Sequence, residues 1–187
     1  MQFDPYAGGA LVKGEHESLV ADLAGYAHDA GVHPIRICTP LAGHCTPQEI
    51  DYIRKFNQHR AGGEVHGLCY VGSDVVEVED HMAAMAGALV RNFVRAKLMT
   101  VGTLLDLLAN QQDPACSCLL IPNFFMPKIE GGSIAAWQVS SLLDLLLTRK
   151  AAGQQTIIYV STMEALKKEY GTAFERLIEA GFESVWL

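Results

Sequence analysis

The chain has 187 residues, of which 50% are apolar and 19% are charged, a composition that excludes disorder and predicts a large buried core. Its 14 basic and 21 acidic residues give a formal net charge of −7, which argues against nucleic-acid binding because negative charge repels phosphates. No apolar run reaches the ~18 residues that cross a bilayer, and the first residues lack the order of a secretion signal. Five cysteines without such a signal favour reduced thiols, so we expect a cytoplasmic protein without membrane contact.

The first 45 residues predict one helix followed by a proline-rich loop. Apolar spacing predicts a helix over residues 15–30, and the glycines and prolines from Gly31 to Cys45 predict the loop. Thr46-Pro47-Gln48-Glu49 combines a capping hydroxyl, a first-turn proline and a carboxylate, so the next helix is predicted over residues 47–60. We therefore divide the chain into an N-terminal segment, residues 1–45, and an α/β core, residues 46–187.

Strands and helices alternate over the rest of the chain. Short apolar runs predict strands over residues 67–72, 97–101, 118–121, 155–160 and 184–187, and helical spacing predicts helices over 79–95, 103–109, 137–150, 163–170 and 172–180. The central strands are apolar throughout, which is typical of strands buried on both faces. The expected fold class is α/β, a three-layer sandwich with a mostly parallel five-stranded sheet.

A phosphate-binding loop is absent after the first predicted strand. The motif G-x-x-x-x-G-K-[ST] would place backbone N–H groups and a lysine on a phosphate. The chain instead reads Gly72-Ser73-Asp74-Val75-Val76-Glu77-Val78-Glu79-Asp80. Glu77 stands at the position of the second glycine, and Val78 and Glu79 replace the lysine and the hydroxyl. Carboxylates in place of a cation would repel a triphosphate.

Short motifs follow one another in a definite order from Gly67 onward. They are Gly67-Leu68-Cys69-Tyr70-Val71-Gly72, residues 83–89, residues 100–105, Leu119-Leu120-Ile121, residues 142–146 with Arg149, residues 156–161, and Tyr170-Gly171 with Arg176-Leu177. In this order they resemble the AAA+ helicase-loader and transposition ATPases of the DnaC and IstB kind. With the preceding helix the resemblance covers residues 46–187. It implies a RecA/AAA+-like P-loop NTPase core, and we expect no separate lid domain.

Two departures from that family determine the predicted function. Where the family has an acidic pair that holds Mg²⁺ and activates water, this chain has Pro122-Asn123, which supply neither group. Ser161 stands at the family's γ-phosphate-sensing position, and Arg176 matches its trans-acting arginine. We predict a degenerate nucleotide site with no catalytic residue, no cofactor and no metal. Its positions are Gly72, Ser73, Asp74, Glu77, Val78, Glu79, Pro122, Asn123 and Ser161.

The predicted function is therefore that of an inactive ATPase homologue rather than an enzyme. We expect a pseudo-ATPase adaptor or regulator that binds a protein, such as a related active ATPase or a helicase, in DNA replication, mobile-element or phage-type machinery. The family's ring assembly implies an interface at Arg149, Arg176 and the loop of residues 122–132, with Phe124, Phe125 and Met126 as its apolar groups. Packing of that loop against the helix of Trp137 is the alternative, and a homo-oligomer stays open.

Two other functions stay open. One is an enzyme or ligand-binding protein that uses Ser73, Asp74, Asn123 and Ser161 in the same crevice, and the other is a DNA-binding accessory factor. The acidic run that ends in His81 is interpreted as a helix start. The spacing of His33, Cys38, His44 and Cys45 matches no closed zinc site, so these residues are assigned to a surface loop.

Overall fold

Five parallel strands form one sheet in a computed structural model that describes residues 3–72, 74–126 and 134–186. The strands are β1 (Gly67–Val71), β2 (Ala96–Leu98), β3 (Cys118–Phe125), β4 (Gln155–Val160) and β5 (Phe182–Trp186). They lie in the order β2-β3-β4-β1-β5, and every neighbouring pair is parallel. The expected α/β class with a five-stranded sheet is confirmed.

Helices cover both faces of this sheet. They are α1 (Glu17–Ala21), α2 (Leu23–Ala30), α3 (Pro34–Cys38), α4 (Pro47–Arg54), α5 (Phe56–Arg60), α6 (Val75–Arg91), α7 (Val101–Ala109), α8 (Ala136–Ala151), α9 (Met163–Tyr170) and α10 (Thr172–Gly181). Successive side chains of a strand point to opposite faces. Leu68 and Tyr70 of β1 pack in a core with α1–α6, whereas Cys69 and Val71 pack in a second core with α7–α10.

The N-terminal segment packs directly on α6. Leu19 and Ile37 are fully buried in the same core as Met82 and Met85 of α6. Helix α3 crosses α6 at Gly87, where a Cβ atom would overlap the backbone carbonyl of α3. Residues 3–45 therefore complete the core on this face of the sheet.

Two of the predicted helices are each divided in two. The helix predicted over residues 15–30 is broken at Asp22, whose carboxylate accepts a hydrogen bond from the backbone N–H of Gly25 at 3.2 Å and starts α2. The helix predicted over residues 47–60 is broken at Lys55, which separates α4 from α5. An acidic side chain that caps a new helix start outweighs the continuous apolar spacing at Asp22.

Other boundaries also differ from the predictions: β2 ends at Leu98 instead of residue 101, and α6 ends at Arg91 instead of residue 95. The predicted loop contains α3, which begins at Pro34. Proline is tolerated there because a backbone N–H in the first turn has no partner within the helix, so the helix loses no hydrogen bond. Helix α6 begins four residues before the predicted residue 79, because Asp74 caps it through the N–H of Glu77. Strand β3 continues through Pro122 to Phe125 with an irregularity in its pairing to β4. Among the described residues, no helix combines the length and apolar character needed to span a membrane.

Candidate functional site

The carboxyl ends of β1 and β4 lie side by side at the edge of the sheet where a ligand crevice is expected. These strands are neighbours in the sheet, yet β1 leads into α6 on one face and β4 leads into α9 on the other. Adjacent strands whose connections leave in opposite directions create the crevice in which open α/β sheets bind ligands. Of the predicted nucleotide-site residues, Gly72, Asp74 and Ser161 lie directly after these two strands.

The connection from β1 to α6 is short, and hydrogen bonds to Asp74 occupy N–H groups in the first turn of α6. Only residues 72–74 separate β1 from α6. The Asp74 carboxylate accepts a hydrogen bond from the N–H of Glu77 at 3.0 Å, and the backbone carbonyl of Asp74 accepts one from Val78 at 3.3 Å. A negative side chain thus occupies the end of the helix that would attract an anion.

The first residue of this turn is tied to the neighbouring strand. The N–H of Gly72 donates to the carbonyl of Val160 at 3.3 Å, and the carbonyl of Gly72 accepts from the Tyr159 hydroxyl at 2.7 Å. Burial, together with the negative charge of Asp74, raises the pKa of Tyr159, so the hydroxyl keeps its proton and stays a donor. Ser73 lies outside the described residues.

The residues that follow the turn, three of them acidic, lie in different environments. Val78 is fully buried in the core and Glu79 is exposed. Glu77 is half exposed, and its carboxylate lies 3.7 Å from Nε2 of His81. Asp80 pairs with Arg36 of α3. These residues form a helix start, as interpreted from the sequence, with additional ties to α3.

At the end of β3, Asn123 has a structural partner. Its Oδ1 atom accepts a hydrogen bond from the backbone N–H of Val101 at 2.8 Å, at the first residue of α7. Thr100, the residue before Val101, caps the same helix through the N–H of Thr103 at 3.2 Å. Pro122 is buried and contributes no side-chain polar atom. The amide of Asn123 therefore joins β3 to α7.

Ser161, directly after β4, has one buried polar atom without a partner. Its backbone N–H donates to the carbonyl of Phe125 at 3.0 Å. Its Oγ atom is buried and makes no hydrogen bond within the part of the chain that the structure describes. The ligand-binding alternative names Asp74, Asn123 and Ser161 among the described residues. Of these three, Ser161 is the one whose side chain makes no hydrogen bond.

A cavity of about 710 Å³ lies on the α6 side of the sheet. Its lining comes mainly from the start of α6 and from the segment that leads into α3. The charged and titratable side chains of the lining are His33, Arg36, Asp74, Glu77, Glu79, Asp80 and His81. Asn123 and Ser161 are not part of this lining. Among the described residues, the cavity is therefore separate from Asn123 and Ser161, which were predicted to act together with Asp74.

A buried hydrogen-bond network around Glu49 was not predicted from the sequence. Glu49 is fully buried and accepts hydrogen bonds from the Tyr70 hydroxyl and from the N–H of Thr46. His81 Nδ1 lies 2.9 Å from Glu49 Oε1. Burial and the Glu49 charge raise the pKa of Tyr70, and burial raises the pKa of Cys45 to about 12. The capping box of Thr46 and Glu49 was predicted, but its link to β1 and α6 is a tertiary contact.

Three of the five predicted interface side chains are buried, so their assignment to a surface is wrong. Phe124 and Phe125 pack against Tyr170, with ring centroids 6.1 Å and 5.0 Å from it. Large apolar side chains gain most by leaving water, which explains this placement. Met126 and Arg176 are exposed, and their role in an interface stays a prediction.

Arg149 is the third buried member, with 1% of its surface exposed. Its guanidinium donates to the carbonyl of Gln155 at 2.7 Å, to Thr156 Oγ1 at 3.0 Å, to Gln154 Oε1 at 3.2 Å and to the carbonyl of Cys116 at 3.3 Å. Helix α8 ends beside the starts of β3 and β4, so this side chain ties three elements together. A planar group with five donors suits such a position.

The cysteines and histidines of the N-terminal segment do not form a metal-binding group among the described residues. Cys38 is buried in α3, and Cys45 Sγ lies 3.7 Å from the carbonyl of His81. Across residues 3–72, 74–126 and 134–186, no three His, Cys, Asp or Glu side chains are placed to hold a metal ion. His33 caps α3 through the N–H of Ile35 at 3.3 Å.

Two solved structures share the fold described above. A DNA replication initiation factor is similar with a TM-score of 0.59 and 11% identity, over 83% of this chain and 50% of that chain. The DnaC helicase loader is similar with a TM-score of 0.55 and 17% identity, over 75% of this chain and 86% of that chain. The chain thus spans about half the length of the replication initiation factor. No model of a known protein family and no curated protein matches it. What the chain shares with these two structures is the fold.

Proposed function

We propose that this protein uses a helicase-loader-like fold without hydrolysing nucleotide, and that it acts by binding a protein of the DNA replication machinery. The observation that carries the proposal is the turn from β1 to α6. There the carboxylate of Asp74 caps the helix end that would otherwise receive a phosphate. The alternatives of a ligand-binding enzyme and of a DNA-binding factor are outcomes of the tests below.

Electrostatics at this turn support the loss of nucleotide binding. Glu77, Val78 and Glu79 stand where a phosphate-binding loop has its second glycine, its lysine and its hydroxyl, and Asp74 adds a third carboxylate to this segment. A phosphate charge about 5 Å from one carboxylate meets repulsion of about 3 kcal/mol at an effective dielectric constant of ~20. A nucleotide at this turn would therefore need a cation supplied from elsewhere.

The end of β3 supports the loss of hydrolysis. Asn123 offers an amide in place of a carboxylate, and its oxygen already accepts the N–H of Val101. An amide cannot act as a general base for water, and a neutral oxygen is a weaker ligand for hydrated Mg²⁺ than a carboxylate. A nucleotide that did bind would therefore lack the groups that usually activate water in this fold.

The choice of partner rests on the two solved structures that share the fold, a replication initiation factor and a helicase loader. The replicative helicase of the source organism is therefore the protein we propose as partner. Of the predicted interface residues, Met126 at the carboxyl edge of the sheet and Arg176 on α10 have exposed side chains. We assign the contact to these two side chains.

Calorimetric titration with MgATP, and with ADP as control, tests the nucleotide part of the proposal. We expect no binding heat at millimolar nucleotide and no phosphate release above the buffer rate. Binding at micromolar affinity would contradict the proposal and would mean that another basic group replaces the missing lysine. A parallel titration with single-stranded DNA at two salt concentrations tests the DNA-binding alternative, because phosphate contacts weaken steeply with salt.

Binding to the purified helicase, measured by biolayer interferometry without nucleotide, tests the partner separately. We expect Arg176→Ala and Met126→Asp to weaken the complex about tenfold or more, as truncations of interface anchors do. Lys13→Ala is the matched control, because Lys13 is exposed on the segment that covers the opposite face of the sheet. No complex with the unsubstituted protein would contradict the partner and leave the nucleotide result unaffected.

A further inference from the structure

Helix α8 presents an unusual face to solvent. Its exposed residues are Ala136, Trp137, Ser140, Asp144, Leu147 and Thr148, followed by Ala151 at its end. Trp137 is 53% exposed and Leu147 is 46% exposed, and Asp144 is the one charged side chain on this face. Every exposed residue of the neighbouring surface helix α9 is charged, as is usual for a solvated helix. The six residues 136, 137, 140, 144, 147 and 148 are called the α8 outer face below.

The α8 outer face is complementary to itself. When a second α8 is placed antiparallel about a twofold axis level with Leu142, Trp137 lies opposite Leu147. The same operation places Ser140 opposite Asp144 and Ala136 opposite Thr148. Each member of the face therefore meets another member, which is the condition for an isologous interface between two copies.

The paired side chains also match in chemistry. Tryptophan against leucine brings together the two largest exposed apolar groups of the helix, and aromatic side chains are enriched in the buried centre of interfaces. Asp144 faces the small neutral Ser140, whose hydroxyl donates to the carbonyl of Ala136 at 3.2 Å within its own helix. The two copies of Asp144 then lie about 6 Å apart along the helices, so their mutual repulsion weakens the contact.

We infer that two copies of this protein associate through the α8 outer face, with the two helices antiparallel. A single helix pair buries less than the roughly 1,200 Å² at which stable interfaces begin. The dimer is therefore weak and depends on protein concentration. This inference is independent of the proposed function, since neither nucleotide nor helicase takes part in the contact.

Sedimentation equilibrium from about 1 µM to about 200 µM tests the association. The weight-average mass of the unsubstituted protein rises toward that of a dimer, and Leu147→Glu removes the rise because it buries a carboxylate against Trp137. Val76→Glu is the matched control, since Val76 is 75% exposed on α6, across the sheet from α8. A monomer at every concentration, or an equal loss in both variants, overturns the inference.

Cross-linking between two different variants tests the antiparallel arrangement. Trp137→Cys protein is mixed with Leu147→Cys protein under mild oxidation, so that one Trp137–Leu147 contact stays intact in the mixed pair. The mixture forms a covalent dimer, whereas neither variant alone does, because like positions lie about 15 Å apart along the helices and a disulfide needs Cα atoms about 6 Å apart. Unsubstituted protein measures the background of the native thiols, four of which are buried. Cross-linking within a single variant, or none in the mixture, overturns the arrangement.

Discussion

Replacing Arg149 by methionine tests whether this side chain holds the core together or serves a partner. Methionine keeps the apolar length of the side chain but removes the four hydrogen bonds from the guanidinium to residues 116, 154, 155 and 156. Each bond from a charged donor contributes about 1.5 to 3 kcal/mol, and a buried acceptor left unpaired costs about 1 to 3 kcal/mol. Part of this loss is recovered because the charge no longer has to be desolvated. Because the four acceptors are left without this donor in the core, we expect the free energy of unfolding to fall by about 3 to 5 kcal/mol in total.

Urea unfolding followed by far-ultraviolet circular dichroism measures this change, with the slope of each transition compared to confirm two-state behaviour. Arg176→Met is the matched control, because Arg176 is exposed and its replacement is expected to change the free energy by no more than about 0.5 kcal/mol. The reasoning fails if Arg149→Met unfolds at the same urea concentration as the unsubstituted protein. Loss of helicase binding without loss of stability would return Arg149 to the interface.

Three further predictions concern stability and use the same urea assay. Gly87→Ala should destabilise the protein by about 1 to 3 kcal/mol, because its Cβ would overlap the backbone of α3. Gly102→Ala is its control, since a Cβ in α7 meets nothing closer than 3.8 Å and alanine favours a helix; equal losses would contradict the contact. Asp74→Ala should cost about 0.5 to 2 kcal/mol as a lost helix cap, and an unchanged midpoint would show that the cap is not needed. Burial and the nearby Lys150 charge lower the pKa of His66, so the unfolded chain binds its proton more readily. Stability should therefore fall as the pH falls from about 6.5 toward that lower pKa. His66→Gln, measured between pH 7.5 and 5, should make the free energy of unfolding less dependent on pH. An unchanged pH dependence would assign it to other groups.

The overall fold could be predicted because it depends on patterns that are local in the sequence. The strands over 118–121 and 155–160 are short apolar runs, and the alternation with helices gives a parallel sheet. Two signals for helix starts were present but missed. In each case an aspartate lies three residues before the backbone N–H whose hydrogen bond it accepts. These pairs are Asp74 with Glu77 and Asp22 with Gly25. Apolar periodicity alone does not reveal such caps.

The site was harder to predict because its contacts join distant parts of the chain. Asn123 reads as a lost carboxylate, but its bond to Val101 needs α7 to start beside the end of β3. Arg149 reads as an ordinary basic residue in the last turn of a helix, where it would favour the helix dipole. Its burial follows from the position of α8 over the starts of β3 and β4, which no local pattern of α8 shows.

The short turn between β1 and α6 limits how this protein could be engineered. A phosphate-binding motif has about eight positions, whereas three residues connect the strand to the helix here. Point substitutions alone would convert the first turns of α6, including the core residue Val78, into loop. An insertion is the practical route, since each doubling of loop length costs only about 0.6 kcal/mol in closure entropy. Attempts to give this scaffold an ATPase site should therefore begin by lengthening the chain after Gly72.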